Sequence, residues 1–180
     1  MLKKRVGKGK CIGLVCILTG PPGVGKSSIA KELAGKFEKA GWIDVDFLRK
    51  MVVSGYAKPG DKTDEAALQA TISVQNACTV AKNFAEKGFT VFIDDIVATP
   101  KRLDLYKKGL SPLNFKTFLL MADRKTVRKR DSQRPAGQVM GKRAMELYTI
   151  FSKIDNKKWK KIDTTGKTIK ETADAILKKT

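Results

Sequence analysis

The chain is 180 residues long and carries 37 Lys and Arg against 18 Asp and Glu, a net charge of +19, with no histidine. That length fits one α/β domain over residues 1–180, and the missing histidine removes histidine acid–base chemistry and most catalytic zinc sites, leaving Asp or Glu as the base. No apolar run reaches the roughly 18–20 residues that cross a bilayer, and the charge favours polyanions such as nucleotides, nucleic acid or acidic surfaces, although lysine-rich solvated faces give the same balance.

In chain order, the basic start Met1-Leu2-Lys3-Lys4-Arg5 leads into the apolar run Cys11–Thr19. That run enters a glycine loop directly, so it reads as a strand buried on both faces and not as a secretory leader; a cytoplasmic protein is expected. Ser27–Lys39 has helical spacing through Ile29, Leu33 and Phe37, closed by Gly41, and Trp42–Val45 is a short strand. Thr63 caps a long helix reaching Lys87 and stopping at Gly88, with Leu68, Ile72, Val74 and Val80 as its apolar positions. Phe89–Ile93 is a third strand, and Pro100 opens a short helix ending at Gly109. Asn114–Met121 is a fourth strand, after which Asp123 caps a very basic helix that Pro135 breaks near Arg134. Residues 136–142 read as a loop, Arg143–Ile154 as a helix, Trp159–Ile162 as the last strand, and Thr168-x-x-Glu171 as a capping box. The three cysteines, Cys11, Cys16 and Cys78, lack disulfide or zinc spacing and read as packing.

Strands alternating with helices imply a parallel sheet covered on both faces. The expectation is a three-layer fold with five parallel strands ordered 2-3-1-4-5 and a lid over about residues 123–142.

Gly20-Pro21-Pro22-Gly23-Val24-Gly25-Lys26-Ser27 matches the phosphate-loop pattern G-x-x-x-x-G-K-[ST] in full, with a strand before it and a helix after it. Such a loop points successive backbone N–H groups at phosphates, aided by the positive end of the helix. Gly20, Gly23, Val24, Gly25, Lys26, Ser27 and the following Ser28 are therefore the expected ATP-binding residues. Lys26 bridges the β- and γ-phosphates and Ser27 holds Mg²⁺ in such sites. The sequence contains no Asn-Lys-x-Asp guanine reader of the GTPase kind. An AAA-type ATPase needs an Asp-Glu pair ending its third strand, where this chain has Asp94-Asp95, and adenylate kinases carry Gly after the loop lysine. These comparisons narrow the field to small P-loop kinases acting on hydroxyls.

Asp46, in Asp44-Val45-Asp46-Phe47-Leu48-Arg49, should emerge at the carboxyl edge of the sheet facing the γ-phosphate and accept the proton of an attacking hydroxyl. Arg49 would point to the acceptor, and Asp44 would alternate to the opposite face. Phe92-Ile93-Asp94-Asp95 resembles a Walker B ending: Asp94 ends the apolar run and suits Mg²⁺, Asp95 is better placed for an acceptor, and the motif alone does not decide between them. Arg128–Arg134 is the lid candidate, with Arg130 and Arg134 four apart and able to stabilise the transferring phosphoryl group. Arg124 could stack on adenine, and the turn Thr164–Lys167, with Thr165, is where backbone groups hold adenine.

From Ile17 to about Arg134 the chain resembles the P-loop kinase group that includes polynucleotide 5′-kinases and chloramphenicol phosphotransferase. The resemblance rests on Gly20–Ser27, on Asp46-x-x-Arg49, on Asp95 and on Lys129–Arg134. It implies Asp46 as catalytic base, Arg49 as a ligand of the acceptor phosphate, Asp95 as an acceptor contact and Arg134 as the essential lid arginine. The expected reaction is phosphoryl transfer from Mg·ATP to a hydroxyl, leaning to the 5′-hydroxyl of a polynucleotide or nucleoside. A small-metabolite or antibiotic hydroxyl is the alternative, and a nucleotide-dependent RNA-binding protein or a regulatory ATP sensor are readings of other classes. Residues Gly55–Lys62 are expected to shape the acceptor pocket, and no oligomeric state is implied.

Overall fold

The computed structural model describes residues 4–6, 10–155 and 158–180. Strands β1 (Lys4–Val6) and β2 (Lys10–Ile12) form a small antiparallel hairpin. The main body is a five-stranded parallel sheet of β3 (Val15–Thr19), β4 (Ala40–Asp44), β5 (Thr90–Asp94), β6 (Phe115–Met121) and β7 (Lys160–Asp163). Its order, β4-β5-β3-β6-β7, is the expected 2-3-1-4-5.

The period of two along the central strands divides the interior into two cores. Val15, Ile17, Val91, Ile93 and Leu119 point to one face, where they meet α3 (Asp64–Glu86), α4 (Pro100–Leu110) and α6 (Lys142–Ser152). Cys16, Leu18, Phe92, Phe118 and Leu120 point to the other, under α1 (Lys26–Ala34) and α7 (Ile169–Leu177). Two further helices, α2 (Val45–Lys50) and α5 (Arg124–Ser132), leave the carboxyl ends of β4 and β6.

The expected caps are in place: Thr63 accepts from the Ala66 N–H, Asp123 from Thr126, and Thr168 forms a reciprocal box with Glu171. The run Cys11–Thr19 is not one strand, however. Gly13 breaks it, its N–H bonding Ala85 O at 2.8 Å while an added Cβ would fall 1.8 Å from Phe89 O. A side chain cannot pass there, so the chain bends and its first part pairs back as the hairpin. Helix α1 ends at Gly35, a weak helix former, and Gly41 lies inside β4. The basic helix likewise ends at Ser132, short of Arg134.

Helix α3 seats differently from the expectation. Leu68 and Ile72 are exposed, and the buried stripe is mostly small: Ala66, Gln69, Ser73, Val74, Ala77, Cys78, Ala81 and Ala85. Small residues allow close approach to α4, where a Cβ on Gly109 would sit 2.7 Å from Cys78 Sγ. Cys16 and Cys78 are buried free thiols, pushed up to about 12 and about 11 by burial, which suits packing and not reactivity. The side chain of Cys11 lies outside the described residues. Among those described, no helix is long and apolar enough to cross a membrane.

Candidate active site

The carboxyl ends of the five strands release the phosphate loop, α2, the Asp94-Asp95 pair, α5 and the Thr164 turn along one edge of the sheet, the edge where open α/β folds hold ligands. The loop itself is shaped by close backbone packing. Gly20 has φ +145°, and a Cβ there would lie 2.1 Å from Leu120 O. Gly23 has φ +84° and touches α5, since its Cβ would lie 2.8 Å from Val127 O and 3.2 Å from Asp131 N. Val24, which follows Gly23, is buried in the core with Ile29 and Leu33. The loop thus runs between β6 and α5 and opens into α1, with Gly25 as its cap.

Lys26 Nζ donates to Gly20 O at 3.1 Å and Pro21 O at 3.2 Å, which holds the ammonium over the loop. Ser27 Oγ donates to Asp94 Oδ2, joining the start of α1 to the end of β5, and Ser28 is the exposed next residue. A hydroxyl and a carboxylate side by side are a hard oxygen set suited to Mg²⁺, which takes one or two carboxylates and otherwise uses phosphates and water. Among the described residues no three His, Cys, Asp or Glu side chains cluster to hold a metal.

Four aspartates crowd this edge, and their bonds separate them. Asp44 caps α2, accepting from the N–H groups of Asp46 and Phe47 at 2.9 and 3.2 Å. Asp94 is buried against Ser27, and that burial raises its carboxyl to about 6; Lys26 and the Ser27 bond oppose the rise, while Asp44 and Asp46 add to it. Asp95 is saturated: Oδ1 accepts from Ile96 N and Arg102 Nη2, and Oδ2 from Arg102 Nε and Tyr106 Oη, all at 2.7–2.8 Å. Asp46 alone has no hydrogen bond or ion pair to its carboxylate among the described residues. Its side chain opens to solvent at the mouth of the cleft, yet desolvation raises its pKa, with Asp95 and Asp44 adding to the rise.

Arg102 and Tyr106 were not anticipated. An Arg and a Tyr four apart on the helix after an Asp-Asp strand end share one face, and a buried phenol needs a partner, so the signal was present in the sequence. Arg49 has a different placement from the one expected. It is 7% exposed and its Nη2 donates to Ala57 O at 2.9 Å and Ala66 O at 3.2 Å, tying the segment after α2 to α3. Gln69 continues the tie through Ala57 N–H and Gly55 O.

The basic segment also departs from the expected common face. Arg130 donates to Thr164 Oγ1 and Thr164 O at 3.1 Å, beside Thr165, whose hydroxyl accepts from Asp123 N–H at 2.9 Å. Arg134 lies beyond the helix end and faces buried Asp131 at 3.5 Å; Asp131 in turn accepts from the N–H of Gly141 at 2.8 Å and gathers the return loop. The helix stops two residues short of Arg134, so the two arginines do not align. Arg124 sits exposed at the start of α5.

Burial of a charge at Asp94 gives a testable consequence. A folded pKa above the ordinary carboxylate value means the folded state holds the proton more tightly, so this group's contribution is full below about pH 4 and is lost as pH rises through about 6. Asp94→Asn should therefore match the wild type near pH 4 and exceed it by about 1–3 kcal/mol at pH 8 in metal-free urea unfolding. Equal stabilities at both pH values would show that Asp94 is not held in a desolvated state.

A phosphate loop between a buried strand and helix, on a sheet ordered 2-3-1-4-5, defines the P-loop kinase fold. The chain belongs to the AAA domain family, whose model matches residues 15–146. The sequence reading set the chain apart from AAA-type ATPases on the absence of an Asp-Glu pair, and in the structure Asp95, at the position of that glutamate, is fully bonded by Arg102 and Tyr106. Among solved structures, the fold is similar to the tunicamycin resistance protein of Deinococcus radiodurans, at 17% identity and TM-score 0.67, covering 93% of this chain and 95% of that one. Thymidylate kinase from Candida albicans is similar at 14% and 0.66, covering 93% and 90%. APS kinase from Mycobacterium tuberculosis is similar at 17% and 0.62, covering 93% and 96%. No curated protein matches the sequence significantly.

Proposed function

We propose that the protein is an ATP-dependent kinase that transfers the γ-phosphoryl group of Mg·ATP to a hydroxyl. The observation that carries this reading is the sorting of the aspartates: Asp46 is the one carboxylate at the cleft mouth left free to receive a proton. The reaction balances as R–OH plus ATP giving R–O–phosphate, ADP and a proton, with the hydroxyl oxygen forming the new P–O bond as the β–γ bridge breaks. Asp46 takes the proton, Lys26 leaves its loop carbonyls to face the β- and γ-oxygens, and Ser27 and Asp94 hold Mg²⁺. Held there, Mg²⁺ would supply neutralisation of the charge on the phosphates. Arg130 and Arg134, from a lid over about residues 123–142, supply further positive charge, and Arg124 and Thr165 border the adenine.

The acceptor we favour is a 5′-hydroxyl of a polynucleotide or nucleoside, supported by the motif resemblance and the +19 charge. A small-molecule hydroxyl is the second reading. It is favoured by the internal bonding of Arg49 and Asp95, the two expected acceptor contacts, and by similarity to a tunicamycin resistance protein and an APS kinase. The test is transfer from γ-labelled ATP with Mg²⁺ to 5′-hydroxyl RNA, 5′-hydroxyl DNA, nucleosides and small alcohols. Label on oligonucleotides or nucleosides is expected; label on small alcohols alone selects the second reading. ATP binding without transfer to any acceptor overturns the kinase assignment.

A further inference from the structure

Helix α5 carries more positive charge than its position near the phosphate loop requires. At about 100° per residue, Arg124, Lys125, Arg128, Lys129 and Ser132 occupy one arc of the helix, while Val127 and Asp131 turn to the phosphate loop and Arg130 to Thr164. All five are exposed, and together they line a shallow, open groove of about 480 Å³. None of the four cations has an ion pair among the described residues. The acids of this segment are turned away, Asp123 to Thr126 and Asp131 to Gly141. Like charges one turn apart repel and destabilise a helix, and among the described residues no acid pairs with these. An anionic partner would.

We propose that this face of α5 is a docking groove for the phosphodiester backbone of single-stranded nucleic acid. Its lining has no apolar side chain to insert among lipids, so a membrane fits it poorly. Its members are the residue types that contact phosphate oxygens: guanidinium, ammonium and hydroxyl. With no aromatic residue in the lining there is no stacking platform for bases beyond the arginine planes, so binding is tolerant of sequence and dominated by counterion release. This goes beyond phosphoryl transfer, because the groove binds a strand whether or not the end of that strand is the acceptor.

The test uses fluorescence anisotropy of a labelled 20-nucleotide single strand, without ATP or Mg²⁺, across a salt series. Wild-type protein should bind with an affinity that falls steeply with salt. Lys125→Gln/Arg128→Gln/Lys129→Gln removes three phosphate contacts. At about 0.7 per contact for single strands, its log–log salt slope should be shallower by about 2, a loss of roughly a hundredfold at 0.1 M salt if the lines meet near 1 M. A variant with the same change in net charge elsewhere, Lys87→Gln/Lys108→Gln/Lys178→Gln, should keep the wild-type slope within one unit. Equal losses in the two triple variants would mean that net charge alone attracts the strand, which overturns the groove. No binding at low salt overturns it too, as does tighter binding to vesicles rich in anionic lipid with the same dependence on the α5 lysines. Because no nucleotide is present, failure here is separate from failure of the kinase reading.

Discussion

Asp46→Asn should lower kcat for the best acceptor by about 10²–10⁴-fold, the range for removing a general base, with the affinity for ATP unchanged. The amide keeps the size of the side chain and cannot accept the proton. Binding should be untouched because Lys26, Ser27 and the loop backbone, not Asp46, are the groups proposed to face the nucleotide. The wild-type kcat/KM should also rise with pH through a value above the ordinary carboxylate range, because desolvation, Asp95 and Asp44 all disfavour the charged form of Asp46. Asp46→Asn should remove that limb of the profile. A variant with full activity and an unchanged profile would show that Asp46 does not take the proton, consistent with a loose transfer that needs little base. Lys26→Ala separates the roles, since it should weaken ATP binding as well as turnover.

Why Asp46 and not its neighbours could be read only in part from the sequence. The phosphate loop, the five strands, their order and the caps at Thr63, Asp123 and Thr168 were legible because each depends on local chemistry: a complete motif, a period, a hydroxyl or carboxylate before a helix. The alternation rule placed Asp44 on the opposite face from Asp46. In fact the strand stops at Asp44, which turns to cap α2, and alternation no longer applies past it. Arg49 and Asp95 looked like acceptor contacts because of their positions after strands. Their partners, Ala57 and Ala66 for one and Arg102 and Tyr106 for the other, come from elements that the sequence does not register against them. The short range of α5 was hidden for a related reason: Asp131 turns inward to collect Met140 and Gly141, so Arg134 leaves the helix before Pro135 can break it. Leu68 and Ile72 were misassigned because helical spacing favours large apolar residues, whereas packing against Gly109 selected small ones.

The second large effect concerns stability. Arg102→Leu should destabilise the protein by about 3–5 kcal/mol, the cost of stranding one partner of a buried ion pair. The Asp95 side chain is 2% exposed, and two of its four donors belong to Arg102. Arg102 Nη1 also reaches Ala70 O at 3.3 Å, so the substitution loosens α3 from α4. Burial works against the Arg102 charge, and Asp95 more than offsets it, leaving the guanidinium pKa raised. Arg102→Leu/Asp95→Asn should recover much of the loss, because the amide removes the stranded charge and keeps an oxygen for Tyr106. Urea unfolding at constant m-value gives both numbers. A single substitution costing under about 1 kcal/mol, typical of a solvated pair, would mean that water reaches this pair. Its role beside Asp46 follows from the same geometry: Asp95 raises and Arg102 lowers the Asp46 pKa, so the pair's two effects on the proposed base oppose each other.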